Sequence, residues 1–199
     1  MINFFTISAP SGSGKTTLCK AIQRARPEMK WSVSYTTRSK RIIEENGIDY
    51  HFISSEKFNL LIKNGHFIEW ENVHGFYYGT SKETLFNTIQ NEEKMLMEVD
   101  VNGSMKIKEL YPKKTFSIFI MPPSIEHLRK RLESRGTDSR SRIEIRLKRF
   151  TKEVGFKERF DHVIINEKLE KAKLELINIL DEKIKGVKNG IKNYTISRD

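Results

Sequence analysis

An α/β fold, with a mostly parallel sheet covered by helices on both faces, is predicted by three features of this 199-residue chain. Apolar, strand-sized runs alternate with stretches of helical periodicity. The first such run, Phe4-Phe5-Thr6-Ile7, leads through a glycine-rich loop, Ala9 to Thr17 (APSGSGKTT), into a helix. A later run, Met95 to Val101, is mostly apolar and carries Glu98 and Asp100 near its C-terminal end. Buried parallel strands deliver carboxylates to a ligand crevice in this way.

The elements follow in order. Lys15 to Arg26 places Leu18, Ala21, Ile22 and Ala25 on one helical face, and Pro27 closes it. Ser32 to Thr36 reads as a short strand. Ser55 is expected to cap a helix through Phe58, Leu61 and Ile62 that stops near Gly65, with Phe67-Ile68 and Trp70 in a following strand. Lys82 to Gln90 suits a helix, Met95 to Val101 a core strand, and Phe116 to Met121 another, stopped by Pro122-Pro123. Ser124 then caps a helix through Leu128 and Leu132, and a further helix starts at about Ser141. His162 to Ile165 is a last strand, and Lys168 to Ile184 a closing amphipathic helix. Two stretches fit the sheet poorly: 33–87, richer in turns and aromatics, and the arginine-rich 129–155. They read as insertions over the crevice. The expected organisation is a discontinuous core of phosphate-loop NTPase type, three-layered, over 1–32, 88–128 and 156–187. Added to it are an inserted region over 33–87, a mobile lid over 129–155 and a polar tail over 188–199.

Composition narrows the function classes. Hydrophobic residues make up 37% and charged residues 31%, ordinary values for a soluble chain. The apolar runs are strand-sized and no charged and apolar leader opens the chain, so a cytoplasmic address and no membrane partner are expected. Cys19 is the only cysteine and falls among Leu18 and Ile22, as a small core residue would. The five histidines show no metal-ligand spacing, which argues against zinc. A net charge of +10 suits either a nucleic-acid surface or polyanionic substrates. Arginines cluster at Arg38 and Arg41 and again between Arg129 and Arg149, while lysines are scattered. Clustered arginine suits forked binding of phosphate groups. A nucleic-acid binder would interleave aromatics with basic residues along one face; here the aromatics concentrate in the inserted region, so no nucleic-acid partner is expected.

The glycine loop carries its own chemistry. Gly12 and Gly14 let the backbone turn tightly and aim N–H groups at phosphate oxygens, and the helix opening at Lys15 turns its positive dipole end to the same anion. Lys15 would reach the β- and γ-phosphates of a nucleoside triphosphate. Thr16 would complete the oxygen shell of a Mg²⁺ ion shared with those phosphates. Ala9 stands where the pattern GxxxxGK(S/T) has glycine.

Two further segments, VSYTTRSKRIIEENGIDYHF from Val33 to Phe52 and FIEWENVHGFYYGT from Phe67 to Thr80, complete a pattern. With the glycine loop, the strand Met97-Glu98-Val99-Asp100, RLESRGTD from Arg131 to Asp138 and the strand end Ile164-Ile165-Asn166, they closely resemble the guanylate kinase family along nearly the whole chain. That resemblance implies a MgATP-dependent phosphorylation of GMP, and of dGMP, to the diphosphate. Residues 33–87 would then be the GMP-binding part. By the same resemblance Ser34, Arg38, Arg41, Glu44, Tyr50, Glu69, Tyr78, Thr80 and Asp100 bind GMP. Ala9, Pro10, Ser11, Gly12, Ser13, Gly14, Lys15, Thr16, Thr17, Arg131, Arg135 and Asn166 bind ATP. Lys15, Arg38, Arg41, Arg131, Arg135 and Arg146 are the implied catalytic cations, with Thr16 and Glu98 nearest Mg²⁺. The other lid arginines, Arg129, Arg140, Arg142 and Arg149, read better as a solvated basic helix.

Guanine offers N1–H and the 2-amino group as donors, which ionised Glu69 and Asp100 can accept, while O6 needs a hydroxyl such as that of Ser34 or Thr80. Adenine offers neither donor at those positions and would leave buried carboxylates unpaired. The chain departs from the family pattern at Lys40 and Ile43, where proline and glycine are common, at Glu98 for aspartate and at Thr80 for serine. Two rival readings are a noncatalytic guanylate-kinase-like binding module and a phosphate-loop kinase for another phosphorylated substrate. The intact Gly14-Lys15-Thr16 argues against the first, and Glu69, Tyr78 and Asp100 against the second.

Overall fold

A computed structural model describes residues 1–185, apart from Ser11, His74, Arg135, Thr137 and Asp138. The roles expected of Ser11 and Arg135, and the tail 188–199, lie outside the described residues. In chain order the elements are β1 (Phe4–Ser8), α1 (Lys15–Ala25), β2 (Lys30–Trp31), β3 (Tyr35–Thr36), β4 (His51–Phe52), α2 (Ser55–Lys63), β5 (Phe67–Val73), β6 (Phe76–Ser81), α3 (Lys82–Gln90) and β7 (Met95–Glu98). Then come α4 (Val101–Leu110), β8 (Thr115–Met121), α5 (Ile125–Ser134), α6 (Arg140–Val154), β9 (His162–Ile165) and α7 (Leu169–Lys185).

Five strands form a wholly parallel sheet in the order β2-β7-β1-β8-β9. All five residues of β1 are buried, because helices cover both faces of the sheet. Phe5, Ile7, Ile118 and Ile120 pack on one face against Leu18 and Ile22 of α1 and Leu176 and Leu180 of α7. On the other face Phe4, Met95 and Met97 meet Leu85 of α3 and Ile107 of α4. Each such side chain contributes about 1.5–3 kcal/mol by leaving water. From β1 the chain order runs to β7 on one side and β8 on the other. The crevice beyond the C-terminal end of β1 is therefore a topological switch point, where ligands bind in open α/β sheets.

The inserted region builds a second sheet, ordered β4-β3-β6-β5, in which β6 is antiparallel to both its neighbours. Its core is aromatic: Phe58 of α2 stacks on Phe67 (ring centroids 4.5 Å) and Tyr77 (5.3 Å). Gly79 permits this, since a Cβ there would lie 2.9 Å from Phe67 and 3.0 Å from Phe58. The arginine-rich stretch forms α5 and α6, joined through Leu128, Leu132, Ile143, Leu147 and Phe150.

Four local expectations are corrected. Ser32 to Thr36 is not one strand: Lys30 and Trp31 pair with β7, Tyr35 and Thr36 join the second sheet, and 32–34 cross between them. Ser54, not Ser55, caps α2, because its extended backbone sets the hydroxyl to accept from the Lys57 N–H at 3.2 Å. The strand from Met95 stops at Glu98, because Asp100 caps α4 by accepting the Gly103 N–H at 2.8 Å. The last lid helix begins at Arg140, one residue early, behind the cap Ser139. Ser124 does cap α5, accepting from the His127 N–H at 3.3 Å, and Cys19 is fully buried.

Candidate active site

The phosphate loop leaves β1 and turns where the Ser13 N–H donates to the Pro10 carbonyl at 3.1 Å. Gly12 (φ +91°) and Gly14 (φ +90°) hold left-handed backbone that side chains disfavour. Space is lacking as well: a Cβ on Gly12 would lie 2.8 Å from Leu128, and one on Gly14 would lie 2.5 Å from the Asn166 amide. That amide donates to the Ser13 carbonyl at 2.7 Å, so Asn166 braces the loop from beneath. The first turn of α1 has no side-chain cap, which leaves its N–H groups for an anion.

Beside the loop, the Lys15 ammonium donates to the Val99 carbonyl at 3.1 Å and lies 3.8 Å from Glu98. The Thr16 hydroxyl donates to Glu98 Oε1 at 2.7 Å, so the longer glutamate does span from β7 to α1. These hard oxygens suit Mg²⁺ shared with phosphate and water. No group of three or more His, Cys, Asp or Glu among the described residues could cage a metal by itself. Ala9 packs against the core, and with Pro10 and Thr17 it lines a cavity of about 430 Å³ that Arg41, Arg146 and Arg149 also reach.

A second cavity, about 200 Å³, opens next to it between Ser34, Tyr50, Glu69, Glu71, Tyr78 and Asp100, with Lys15 and Glu98 at the junction. Thr80, 1% exposed, donates its hydroxyl to Glu69 Oε1 at 2.5 Å. Glu69 and Asp100 converge on the start of α4. A Cβ on Gly103 would lie 2.8 Å from Glu69 Oε2 and 3.1 Å from Asp100 Oδ1, so only glycine lets both carboxylates approach. Arg38 is held by Glu44 through two bonds, 2.8 and 3.0 Å, and lies over the rings of Tyr50 (5.5 Å) and Phe52 (5.6 Å). Glu44 also accepts the Arg41 N–H at 2.8 Å, closing the 41–44 turn without the proline and glycine common there. The Arg41 side chain remains 71% exposed.

Burial dominates the electrostatics of this pocket. It pushes the Glu69 carboxyl up to about 7, against the Thr80 hydroxyl, with Asp100 and Glu71 adding to the rise. Burial likewise raises Asp100, opposed by the Gly103 N–H and assisted by Glu71. Glu44 behaves oppositely: burial pushes upward, but the Arg38 guanidinium and the Arg41 N–H hold it below its usual range. Tyr50 is raised by burial and by the charge of Glu98.

The lid arginines divide. Arg131 donates to the backbone carbonyls of Asn166 (2.7 Å) and Glu167 (3.2 Å). Arg146 lines the phosphate-loop cavity. Arg129 forms an exposed pair with Glu144, as a solvated helix would. Arg149 does not fit that reading: it turns inward to the same cavity, 2.6 Å from Glu153, four residues along the helix. The sequence pattern assigned Arg149 to a solvated face, and it left Gly103 and Glu71 without a role. For Gly103 a signal was present, a glycine three residues after a capping aspartate; Arg149 and Glu71 depend on helix rotation and strand register.

A parallel switch-point sheet, an anion loop opening α1, and an adjoining acidic pocket guarded by two arginines define a phosphate-loop kinase that holds two phosphorylated substrates. The comparisons agree. The guanylate kinase family model matches residues 2–183. Guanylate kinase of Fusobacterium nucleatum is 41% identical over 181 residues, covering 91% of this chain and 97% of that one. That of Carboxydothermus hydrogenoformans is 39% identical over 180 residues, 90% and 88% of the two chains. The crystal structure of guanylate kinase from Anaplasma phagocytophilum superposes with a TM-score of 0.74 at 32% identity, covering 92% of this chain and 86% of that one. Shikimate kinase from Bacteroides thetaiotaomicron shares only the fold, at 15% identity and a TM-score of 0.50. The chain belongs to the guanylate kinase family.

Proposed function

We propose that this chain transfers the γ-phosphoryl group of MgATP to GMP, giving ADP and GDP, and accepts dGMP as well. The observation that carries this reading is the single crevice in which Lys15 and Glu98 join the phosphate loop to a pocket holding Glu69, Asp100 and Ser34. Guanine's N1–H and amino group meet Glu69 and Asp100, and the Ser34 hydroxyl is left to donate to O6, since Thr80 is committed to Glu69. Arg38, Arg41, Tyr50 and Tyr78 hold the GMP phosphate, with Glu44 fixing Arg38 in place. Ala9 to Thr17 cradle the ATP phosphates.

No general base is required. The attacking oxygen belongs to a phosphate whose second pKa is about 6, so it is already ionised at neutral pH. The task is to align two polyanions that repel each other. Lys15, Arg38 and Arg41 neutralise the charge around the transfer, and Arg131, Arg135 and Arg146 join from the lid over 129–155 when ATP is bound. Thr16 and Glu98 would hold the Mg²⁺ that accompanies ATP, which would supply neutralisation of phosphate charge. Closure of the lid over the core 1–32, 88–128 and 156–187 excludes water, which would otherwise accept the phosphoryl group. Among the described residues no helix is long and apolar enough to cross a membrane. The same reading places the chain in the cytoplasm, with small-molecule substrates and no nucleic acid.

Lys15→Ala tests the division into two subsites. Turnover should vanish while calorimetry still shows GMP binding to a folded protein. Loss of GMP binding by a folded Lys15→Ala variant would contradict the assignment.

A further inference from the structure

The acceptor cavity contains one carboxylate that the mechanism does not use. Glu71 follows Glu69 by two residues on β5, so both side chains share one face of the sheet, about 7 Å apart along the strand. Register sets what each faces. Glu69 lies opposite Thr80, at the level assigned to the base, and Glu71 lies opposite Tyr78, which is assigned to the phosphate. Glu71 therefore lies on the phosphate side of Glu69 in the same cavity, the side on which a bound nucleotide carries its sugar. The Asn102 amide donates to Glu71 Oε2 at 3.1 Å, and among the described residues this is the one side-chain hydrogen bond that Glu71 makes.

A purely structural role explains this placement poorly. Glu71 lines the same cavity as Glu69 and Asp100, and its charge helps to push both of those carboxyls upward. A third negative group in a half-buried cavity costs free energy unless a ligand donor meets it. The donors of GMP can be counted. N1–H and the amino group are matched by Glu69 and Asp100, the phosphate dianion has none, and only the ribose hydroxyls remain.

We propose that Glu71, oriented by Asn102, accepts a hydrogen bond from the ribose 2′-hydroxyl and makes the chain favour GMP over dGMP. This rests on the functional reading above and refines it. The carboxylate plays the part that an acidic residue plays toward ribose in dinucleotide-binding folds. A hydrogen bond to a charged acceptor confers discrimination of about tenfold or more against a substrate that lacks the donor.

The test is steady-state kinetics of the full chain with saturating MgATP and varied GMP or dGMP, for the unaltered protein, Glu71→Ala and the isosteric Glu71→Gln. The unaltered chain should show kcat/KM about tenfold or more higher for GMP. That ratio should fall toward one in Glu71→Ala and to an intermediate value in Glu71→Gln, which keeps a weaker carbonyl acceptor. Should Glu71→Ala fail to fold, Glu71→Gln must still show a reduced ratio. Equal use of GMP and dGMP by the unaltered chain, or variants whose ratio is unchanged even as both activities fall, would overturn the ribose assignment while leaving guanylate kinase activity standing. If the unaltered chain phosphorylates neither nucleotide, the functional reading falls, and this inference with it.

Discussion

Glu69 shows how one residue couples recognition to stability. Its ordinary carboxyl value is 4.5, and burial with two acidic neighbours takes it to about 7. A folded value above the unfolded one means that the folded state binds more protons between those limits, so stability falls as pH rises from about 4.5 to about 7. Glu69→Gln should therefore raise the melting temperature of the free protein at pH 8 by a few degrees and have little effect near pH 4. The same substitution should lower kcat/KM for GMP by about a hundredfold, because the charged acceptor for the guanine donors is replaced by a weaker carbonyl and an NH2 that cannot accept. In the unaltered chain, KM for GMP should fall between pH 6 and pH 8 as Glu69 ionises. The GMP phosphate, whose second pKa is about 6, titrates in the same direction, so the Gln variant isolates the part due to Glu69. Single residues were legible in the sequence where a motif fixes them: Lys15, Glu69 and Tyr78 all line the crevice. Gly103 is marked in the sequence only by its place three residues after Asp100, and its importance comes from two carboxylates that a Cβ would displace.

Elements were legible where periodicity was strong and where caps were unambiguous. The strands β1, β7, β8 and β9 read as continuous apolar runs because both sheet faces are covered, and α1 and α7 show their buried stripes. The helix α4 left no such signal, since Gly103 and Ser104 weaken its propensity and tertiary burial of Val101 and Ile107 makes up the difference. The two-residue strand β4 was equally hidden, because its pairing depends on a partner outside the local sequence pattern. The turn that carries Arg38 and Arg41 depends on Glu44. Glu44→Ala leaves a largely buried guanidinium without its partner, and should lower stability by about 2–3 kcal/mol in urea unfolding and raise KM for GMP. Because Glu44 is held below its usual value, its contribution is present at neutral pH and is lost as the solution is acidified through that depressed value. Gly79→Ala should destabilise the same sheet by about 1–3 kcal/mol, since the new methyl group meets the stacked rings of Phe67 and Phe58.

At the scale of the whole molecule, three parts meet at the carboxyl edge of the parallel sheet. The loop between β1 and α1 holds phosphate, the inserted sheet and the start of α4 supply a pocket with paired carboxylates, and α6 brings Arg146 and Arg149 to the phosphate-loop cavity. Leu128 and Leu132, one wall of the phosphate loop, also belong to the apolar seam between α5 and α6, so these helices and the loop are packed as neighbours. That 33–87 and 129–155 fit the parallel sheet poorly could be read from the sequence, because they break its strand-helix alternation. The inward turn of Arg149 could not, since the rotation of α6 is set by that seam. The most direct measurement is a coupled assay of purified chain with MgATP against GMP, AMP, CMP and UMP in turn. Rapid formation of GDP with the other three nucleotides nearly untouched is the predicted result; comparable turnover of AMP, or no turnover of any monophosphate, would contradict it.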